Sequence, residues 1–460
     1  MTTKALKGKK ILFANFPADG HFNPLTGLAV HLKEQGCEIE WYTSPTFAAK
    51  IERLGIKHHP FRKAKDVSNN NFDTAFPERL KHKSQISRLK FDIIHAFILR
   101  APEYYEDICE IYKSFPFDLV VADCAFSAIP FIKDLMKKPV VAIGVLPLPE
   151  TSKDLPPSGL GLTPSYSAIG RLRQRLLRWT TDRFIFSEPN RVMHSMLDKY
   201  NIRHEGKSLF DVNIIKSDIL LQSGTPGFEY YRSDLGANVR FAGAILPYAP
   251  EKQQNSWFDR RINQYSRVVL VTQGTVEKDI HKLLVPTLEA FRDEDTLVIA
   301  TTGGSETESL RARYPYKNII IEDFIPFADI MPYADVYVTN GGYGGVMLAI
   351  ENNLPMVVAG VHEGKNEICA RVGYFGLGIN LKTEKPETLQ IRKAVMKVAE
   401  NEHFKYNVSK LSEEFSRFDP CEICAGHITR LLTTDTSEDI IEPIFDLKNK
   451  QHEKAVSVPA

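Results

Sequence analysis

Short apolar runs rich in β-branched residues recur along the whole chain, and stretches with the apolar spacing of a helix lie between them. Such an alternation is typical of parallel sheets built from βαβ units. The predicted strands are 10–16, 38–44, 118–123, 139–145 and 218–223 in the first half, and 267–273, 296–302, 318–324, 335–340, 355–360 and 376–381 in the second. We therefore expect an α/β protein with one sheet in each half.

At 460 residues the chain is longer than one hydrophobic core usually supports. We predict two doubly wound, Rossmann-like domains that face each other across a cleft. A polar segment with two prolines, 246–257, has the composition of a linker. The predicted organisation is an N-terminal domain 1–243, a linker 244–265, a C-terminal domain 266–432 whose last helix packs back on the first domain, and a poorly ordered tail 433–460.

Composition narrows the classes of partner. The net charge of +1 gives no reason to expect a nucleic-acid partner. No run approaches the roughly 18 apolar residues of a membrane span. Six scattered cysteines without an export signal predict reduced thiols and a cytoplasmic protein. Cys421 and Cys424 form a CxxC with His427 three residues later, but no second ligand pair accompanies it, which favours a structural helix over a metal or redox site.

Four glycines lie within residues 341–345, after a predicted strand and before a helical pattern. In that context backbone N–H groups and the helix dipole can hold an anion such as phosphate. No GK[ST] follows the loop, and a GxGxxG pattern fails at Met347, which disfavours an ATPase and a nicotinamide dehydrogenase. A tight turn without a ligand is the alternative. The number of glycines favours phosphate binding.

The segment GHFNPLTGLAVHL follows the first predicted strand. Asn23 is predicted to cap a helix, with Pro24 in its first turn and Gly36 at its end. His21 then lies in a loop at the carboxyl end of a strand, where doubly wound folds bind ligands, and a neutral imidazole there could accept a proton. Asp123 ends another strand of the same domain and could orient His21. A merely exposed or capping histidine is the alternative.

Three segments, GHFNPLTGLAVHL, DFIPFADIMPYADVYVTNGGYGG and EGKNEICARV, resemble nucleotide-sugar-dependent glycosyltransferases of the GT-B fold. The likeness is greatest to bacterial macrolide and flavonoid glycosyltransferases related to the plant UDP-glycosyltransferases, and it extends from Lys10 to about Leu432. It implies an inverting transfer to a small acceptor, with a nucleotide sugar as co-substrate and neither cofactor nor metal. His21 would deprotonate the acceptor hydroxyl, and Asp123 would orient His21.

The resemblance also implies a donor site. The glycine loop and the TQGT turn would stabilise the leaving diphosphate, and Phe324 would stack on the nucleobase unless it is a core residue at a strand end. The implied donor-binding residues are Gly274, Thr275, Phe324, Ile325, Asn340, Gly341, Gly342, Gly344, Gly345, Glu363, Gly364 and Lys365. One DxD-like run, 293–295, has the context of a solvated turn and not of a metal site.

Several positions depart from the family pattern. Asn340 replaces a histidine, Gly345 replaces a serine or threonine, and Leu348 replaces a ribose-binding glutamate. Gly364 and Lys365 replace the aspartate and glutamine that hold glucose hydroxyls. The loss of a ribose contact suits a deoxyribose, and the loss of the carboxylate suits a 6-deoxy sugar, so dTDP-rhamnose is the favoured donor.

Segments 60–105 and 146–200 are expected to line the acceptor site, and a flavonoid is the favoured acceptor. Its predicted apolar walls are Phe72, Phe76, Phe91, Phe97 and Leu148. Three alternatives stay open: a UDP-glucose-dependent glucosyltransferase, a nucleotide-sugar epimerase of the same fold, and a non-catalytic partner of another transferase. The pair of His21 and Asp123 favours an enzyme. The oligomeric state is not predicted.

Overall fold

The computed structural model describes residues 5–67, 72–249, 257–274, 277–362 and 364–433. Two sheets form, and every pair of neighbouring strands within them is parallel. The first has the order β3-β2-β1-β4-β5-β6-β7 and the second β10-β9-β8-β11-β12-β13. The strands are β1 (Lys10–Ala14), β2 (Glu38–Thr43), β3 (Lys57–Pro60), β4 (Leu119–Asp123), β5 (Val140–Gly144), β6 (Ile219–Ser223), β7 (Val239–Gly243), β8 (Val268–Thr272), β9 (Leu297–Thr301), β10 (Ile319–Glu322), β11 (Val336–Thr339), β12 (Met356–Val358) and β13 (Gly378–Asn380).

Helices connect the strands of both sheets. Those of the first half are α1 (Asp19–Glu34), α2 (Ala48–Arg53), α3 (Phe72–Ala75), α4 (Gln85–Asp92), α5 (Ala101–Ser114), α6 (Ile129–Asp134), α7 (Ala168–Thr181), α8 (Ser187–Lys199) and α9 (Leu209–Lys216). Those of the second half are α10 (Leu284–Ala290), α11 (Thr307–Arg313), α12 (Phe327–Ile330), α13 (Tyr343–Glu351), α14 (Lys365–Tyr374), α15 (Thr388–Glu400), α16 (Glu402–Phe415) and α17 (Pro420–Thr433). The predicted class, two doubly wound α/β units, is confirmed.

Each sheet is buried on both faces. Along β1, Ile11 and Phe13 face one apolar cluster while Leu12 and Ala14 face another, because successive side chains of a strand point to opposite sides. The second sheet is covered in the same way by two clusters. Strands that are buried on both faces have continuous apolar sequences. The eleven predicted strands could be recognised for this reason, and all eleven are present.

Two strands were not predicted, and both lie at an edge of the first sheet. β3 has the sequence KHHP, in which no residue is buried. β7 has the sequence VRFAG, with Arg240 and Phe241 only half-buried. An edge strand pairs on one side only and needs no apolar run on both faces, so its sequence carries little signal.

The last helix crosses back to the first half of the molecule. α17 packs against α1 and β7, and Cys424, Ala425 and Ile428 join the apolar cluster around β1. The chain enters it beside the end of β7: a Cβ added at Gly243 would lie 2.6 Å from the Cβ of Phe418. The CxxC lies on this helix, and burial raises the pKa of the Cys421 thiol to about 11. The described residues include no group of three or more side chains suited to a metal.

Among the helices within the described ranges, none is long and apolar enough to cross a bilayer. The predicted domain limits stay predictions, since the polar segment between β7 and β8 lies partly outside the described residues, as does the predicted tail from residue 434.

Candidate active site

Each sheet has one point at which the order of its strands reverses. In the first sheet it lies between β1 and β4, and in the second between β8 and β11. The connections on either side of such a point run in opposite directions and leave a crevice at the carboxyl ends of the strands. Asp123 ends β4, and the loop after β1 leads within a few residues to His21. Gly274 follows β8, and the glycine loop follows β11, so the predicted catalytic and phosphate-binding residues occupy equivalent places in the two sheets.

The His21 imidazole is held by a buried carboxylate. Its Nδ1 lies 2.7 Å from Oδ1 of Asp123, whose side chain is fully buried. Asp123 also accepts hydrogen bonds from the backbone N–H of Phe16 at 2.6 Å and of Ala125 at 2.8 Å, so the carboxylate cannot rotate away. A carboxylate at Nδ1 favours the tautomer with its proton on that nitrogen. Nε2 is then left with a lone pair that can accept a proton.

The helix that carries His21 begins earlier than predicted. α1 starts at Asp19 with Ala18 before it, so His21 is a helical residue and does not lie in a loop, and Asn23 is not the cap. The carbonyl of Ala18 accepts from the backbone N–H groups of both His21 and Phe22 at 2.9 Å, which closes the first turn without a side-chain cap. Pro24 lies inside the helix and costs it one hydrogen bond. The helical backbone fixes the position of the imidazole.

Two aromatic rings extend from His21 towards the predicted acceptor side. The ring of Phe16 meets the imidazole edge-on, with centroids 5.4 Å apart. Phe16 in turn stacks on Phe97, with centroids 4.2 Å apart and planes 10° from parallel. Phe97 is therefore the predicted wall residue that the structure brings towards the base.

The other predicted wall residues are placed differently. Phe76 and Phe91 are buried and pack against each other at 5.8 Å, so they support the segment that carries Phe97. Leu148 is 1% exposed within the core of the first half, which corrects its prediction as a wall. Leu148 is apolar because it packs in this core. The sequence alone does not distinguish an apolar core residue from an apolar residue that lines a pocket. The side chain of Phe72 lies outside the described residues.

On the second sheet, the glycines of the loop leave its backbone without side chains. Gly274 and Gly341 both adopt φ +79°, which favours glycine, and a Cβ at Gly341 would lie 2.4 Å from Sγ of Cys369. Asn340 joins the two turns, because its Nδ2 donates to the carbonyl of Gln273 and its Oδ1 accepts from the N–H of Gly342 at 3.3 Å. The first N–H groups of α13, around Gly344 and Gly345, follow directly and have no carbonyl partner within a helix.

The helix after the glycine loop faces the helix that carries His21. α13 packs against α1, and the Tyr343 hydroxyl donates to the carbonyl of Ser223 at 2.6 Å. Burial raises the pKa of this hydroxyl. Tyr343 was not predicted as part of the site, although it is the one aromatic residue among the glycines of the loop. The structure thus places His21, the predicted base, and the glycine loop on opposite walls of one cleft.

The remaining donor-site predictions divide by exposure. Phe324 is 69% exposed just after β10, so the alternative of a core residue is wrong. Ile325 is 5% exposed within the core of the second half, and only its backbone could contact a ligand. Gly364, with φ +76°, and Lys365 begin α14 beside the glycine loop. Thr275 and Glu363 lie outside the described residues.

A buried charge network connects the two walls and was also not predicted. The Arg371 Nη2 lies 2.6 Å from Oε1 of Glu229, and its Nη1 lies 3.0 Å from Oε2 of Glu367. Burial alone would raise the pKa of the Glu229 carboxyl, but Arg371 and Arg232 hold that pKa below its usual range. A glutamate and an arginine four residues apart on one helix, with apolar residues between them, were the available signal in the sequence.

The same network extends to a loop of the first half. Oε1 of Glu367 accepts from the N–H of Gly159 at 2.9 Å and of Gly161 at 2.8 Å, while Asn366 Nδ2 donates to the carbonyl of Gly159 at 2.8 Å. α14 begins at Lys365, one of the predicted sugar-binding positions. The acceptor-side loop and the donor-side helix are therefore joined at the cleft.

Comparison with known proteins identifies the family. Residues 286–429 match the family described as erythromycin biosynthesis protein CIII-like, C-terminal domain. The chain is similar to 4'-demethylrebeccamycin synthase of Lentzea aerocolonigenes, with 35% identity over 415 residues that cover 90% of this chain and 97% of that protein. It is also similar to UDP-glycosyltransferase 2 of Phaeomoniella chlamydospora, with 28% identity and coverage of 92% and 95%.

Solved structures share the fold along nearly the whole chain. The glycosyltransferase of kitacinnamycin superposes with a TM-score of 0.72 at 18% identity, covering 93% of this chain and 100% of that one. The calicheamicin glycosyltransferase CalG4 superposes with a TM-score of 0.71 at 20% identity, covering 93% and 99%. Two facing parallel sheets, a full-length relative at 35% identity and the family match lead to one conclusion: the chain belongs to the nucleotide-sugar glycosyltransferases of the GT-B fold, in the family of erythromycin biosynthesis protein CIII-like enzymes.

Proposed function

We propose that the protein catalyses an inverting sugar transfer with His21 as general base. Nε2 of His21 accepts the proton of an acceptor hydroxyl while that oxygen attacks the anomeric carbon, and the bond from this carbon to the diphosphate oxygen breaks on the opposite face. Asp123 stabilises the imidazolium that forms. The observation that carries the proposal is the 2.7 Å contact between Nδ1 of His21 and a fully buried carboxylate, on a helix that packs against the helix after the glycine loop.

When the bond to the anomeric carbon breaks, its electron pair stays with the diphosphate oxygen, so the leaving group gains one negative charge close to the glycine loop. The N–H groups in the first turn of α13 are available to that region, and the positive end of the α13 dipole adds to their effect. These dipoles are fixed by the contacts of Asn340 with the turn after β8. Fixed dipoles can stabilise the leaving group as a divalent metal does in other transferases, so independence of metal is part of the proposal.

For the donor we propose dTDP-rhamnose. Phe324 is exposed and can stack on a nucleobase. Leu348 offers no hydrogen bond to a ribose hydroxyl, and Gly364 offers none to a sugar hydroxyl. A deoxyribose and a 6-deoxy sugar need fewer of these contacts. UDP-glucose is the second candidate, because several relatives, among them one from Beauveria bassiana at 29% identity, are named as UDP-glucosyltransferases.

For the acceptor we propose a small apolar molecule with a hydroxyl group, of which a flavonoid is the favoured example. The stacked rings of Phe16 and Phe97 provide an apolar wall beside the base. The name of one relative, 4'-demethylrebeccamycin synthase, refers to a natural product. The cytoplasmic location predicted from the cysteines belongs to the same proposal.

A competition assay tests donor and acceptor together. Purified protein is incubated with one flavonol, equal amounts of dTDP-rhamnose and UDP-glucose, and a chelator, and the product is identified by mass spectrometry. Rhamnoside alone is the expected result. Glucoside alone would replace the donor proposal by the second candidate. Product that forms only when a divalent metal replaces the chelator would overturn the proposed role of the backbone dipoles.

A further inference from the structure

The helix α7 turns its apolar side to the solvent. Ile169, Leu172, Leu176 and Trp179 are 83%, 65%, 60% and 60% exposed. Their spacing of three, four and three residues puts them in one stripe along the helix. A surface helix of a globular protein normally buries such a stripe. α7 has the strong amphipathic pattern of a packed helix, but with the opposite orientation.

The orientation of α7 is fixed by polar contacts on its buried side. The residues buried there are Gly170, Gln174 and Thr181. Oε1 of Gln174 accepts from the N–H of Ser165 at 2.6 Å, and Nε2 of Gln174 donates to the carbonyl of Asp154 at 2.8 Å. Because Gln174 is 3% exposed and both ends of its amide are bonded, rotation of the helix to bury its apolar stripe would break these hydrogen bonds.

Arginines flank the exposed stripe. Residues 168–186 contain five arginines and a single acidic residue, Asp182. Arg171, Arg173, Arg175 and Arg183 are exposed, and within the described parts of the chain none of them forms an ion pair. With the helical repeat, Arg173 falls on one side of the stripe and Arg175 on the other. The exposed face of α7 is thus apolar along its middle and positively charged along both margins.

A neighbouring element adds exposed apolar and basic residues close to the end of α7. α4 packs against the turn 182–186, in which Phe184 is 64% exposed. On and before α4, Leu80, Ile86 and Leu89 are exposed beside three exposed basic residues, Lys81, Lys83 and Arg88. We call the exposed residues of 80–89 and 168–184 the basic apolar surface.

We propose that the basic apolar surface binds the anionic surface of a lipid bilayer. A helix with an apolar stripe and arginines at its margins lies in the interface with its stripe among the acyl chains and its charges at the headgroups. Each basic side chain near an anionic leaflet adds to the affinity. A second copy of this chain is a poorer occupant, because a two-fold contact would bring the arginines of the two copies together.

The position of this surface relates membrane binding to the entry of the acceptor. The chain runs from α4 through residues 93–97 to Phe97, which stacks on Phe16 beside His21. A bilayer at the basic apolar surface would therefore adjoin the acceptor side of the cleft, from which an apolar acceptor dissolved in the membrane could enter. This last step rests on the proposed function, whereas the binding to the bilayer does not.

Vesicle flotation tests the binding without any substrate. One set of vesicles is phosphatidylcholine alone and the other is an equal mixture of phosphatidylcholine and phosphatidylglycerol. The protein is expected to float with the anionic vesicles only, and less so as salt is raised. Trp179 is the exposed one of three tryptophans, so its fluorescence should shift to shorter wavelength on binding.

Two variants separate the parts of the surface. Leu172→Gln with Leu176→Gln should abolish the fluorescence shift, and Arg171→Gln, Arg173→Gln and Arg175→Gln together should weaken binding to anionic vesicles at least about tenfold. The matched control is Leu389→Gln, a change of a 56% exposed leucine in α15 of the second half, which should bind like the parent protein. Circular dichroism checks that each variant is folded, and if the leucine variant is not, the arginine variant still decides.

Two results would overturn the proposal. One is the absence of binding to both kinds of vesicle, and the other is equal binding to both. If binding is absent, a dimer seen by analytical ultracentrifugation that Leu172→Gln with Leu176→Gln dissociates would assign the surface to a second copy. None of these results depends on sugar transfer, so a failed assay of the enzymatic function leaves this test intact.

Discussion

At the level of single residues, the tasks proposed for His21 and for the glycine loop can be tested separately. Replacing His21 with alanine removes the proposed proton acceptor but leaves the glycine loop on the opposite wall untouched. We expect kcat to fall by about 10³-fold, within the range for a lost general base. The Kd of the nucleoside diphosphate, measured by calorimetry, should stay unchanged. Transfer at a rate comparable to the parent protein would show that another group takes the proton.

Phe324 offers a second test at this scale. Its side chain is 69% exposed, so Phe324→Ala removes a stacking surface without disturbing the core. Loss of one stacked base costs roughly 1–3 kcal/mol, so KM for the nucleotide sugar should rise about tenfold or more while kcat changes little. Phe324→Trp should restore or lower KM. Phe258→Ala, at a 48% exposed phenylalanine, is the matched control. An unchanged KM in Phe324→Ala would remove Phe324 from the site.

The single residues show where prediction from sequence succeeds. The contact of Asp123 with His21 was predictable because Asp123 ends a buried strand, and the loops at that end of a parallel sheet lie close together. The burial of Ile325 was not predictable, because it is a buried residue between two exposed neighbours, Phe324 and Pro326. Sequence shows that a residue is apolar, but whether it faces a core or a ligand depends on the elements packed around it.

Among the elements, α17 provides a dependence on pH. Burial lowers the pKa of His427 from its ordinary value of 6.5 to about 4, and Arg430 and Arg240 add to the effect. The unfolded chain therefore binds this proton first as the pH falls. The stabilisation that the neutral histidine provides is complete above about pH 6.5 and is lost as the pH falls towards 4. The total loss amounts to about 3 kcal/mol of the free energy of unfolding.

The measurement is urea unfolding of the parent protein and of His427→Leu between pH 4 and 7. The difference in unfolding free energy between the two proteins should shrink or reverse as the pH falls, since leucine takes up no proton. His403→Leu changes an exposed histidine in α16 and serves as the control. Parallel curves for parent and His427→Leu across this range would contradict the prediction.

The sequence predicted buried elements better than elements at the edge of a sheet or on the surface. Central strands follow from their apolar runs, whereas β3 and β7 could not be recognised because edge strands need no such run. The segment 146–200, expected to line the acceptor site, contains α7, whose apolar stripe resembles that of any packed helix in sequence. Its outward orientation is decided by Gln174, and no periodicity reports which side of a helix meets the protein.

On the scale of the whole molecule, the contacts of Arg371 hold the two halves together. Arg371→Met leaves the Glu229 carboxylate buried without its main partner, which should destabilise the protein by about 3–5 kcal/mol. The denaturation midpoint in urea gives this value. Adding Glu229→Gln should recover a large part of the loss, because the unpaired charge is then gone.

A matched control for this test is Arg392→Met. Arg392 pairs with Glu294 in a half-exposed position, so its loss should cost no more than about 1 kcal/mol. Equal effects of Arg371→Met and Arg392→Met would mean that the network across the cleft does not stabilise the fold. No sequence pattern could have joined Glu229 to Arg371, because the two lie 142 residues apart and meet only after both halves have folded.

The return of α17 to the first sheet also limits how the molecule can move. The polypeptide passes between the halves twice, once after β7 and once before α17, and Gly243 and Phe418 bring these two passages into contact. Two connecting segments that meet at one place act as a hinge. Sliding or twisting of the halves would strain one passage against the other, whereas a swing about their meeting point strains neither. A swing that widens the mouth of the cleft would separate Glu367 from Gly159 and Gly161 and Arg371 from Glu229, so these contacts hold the cleft narrow.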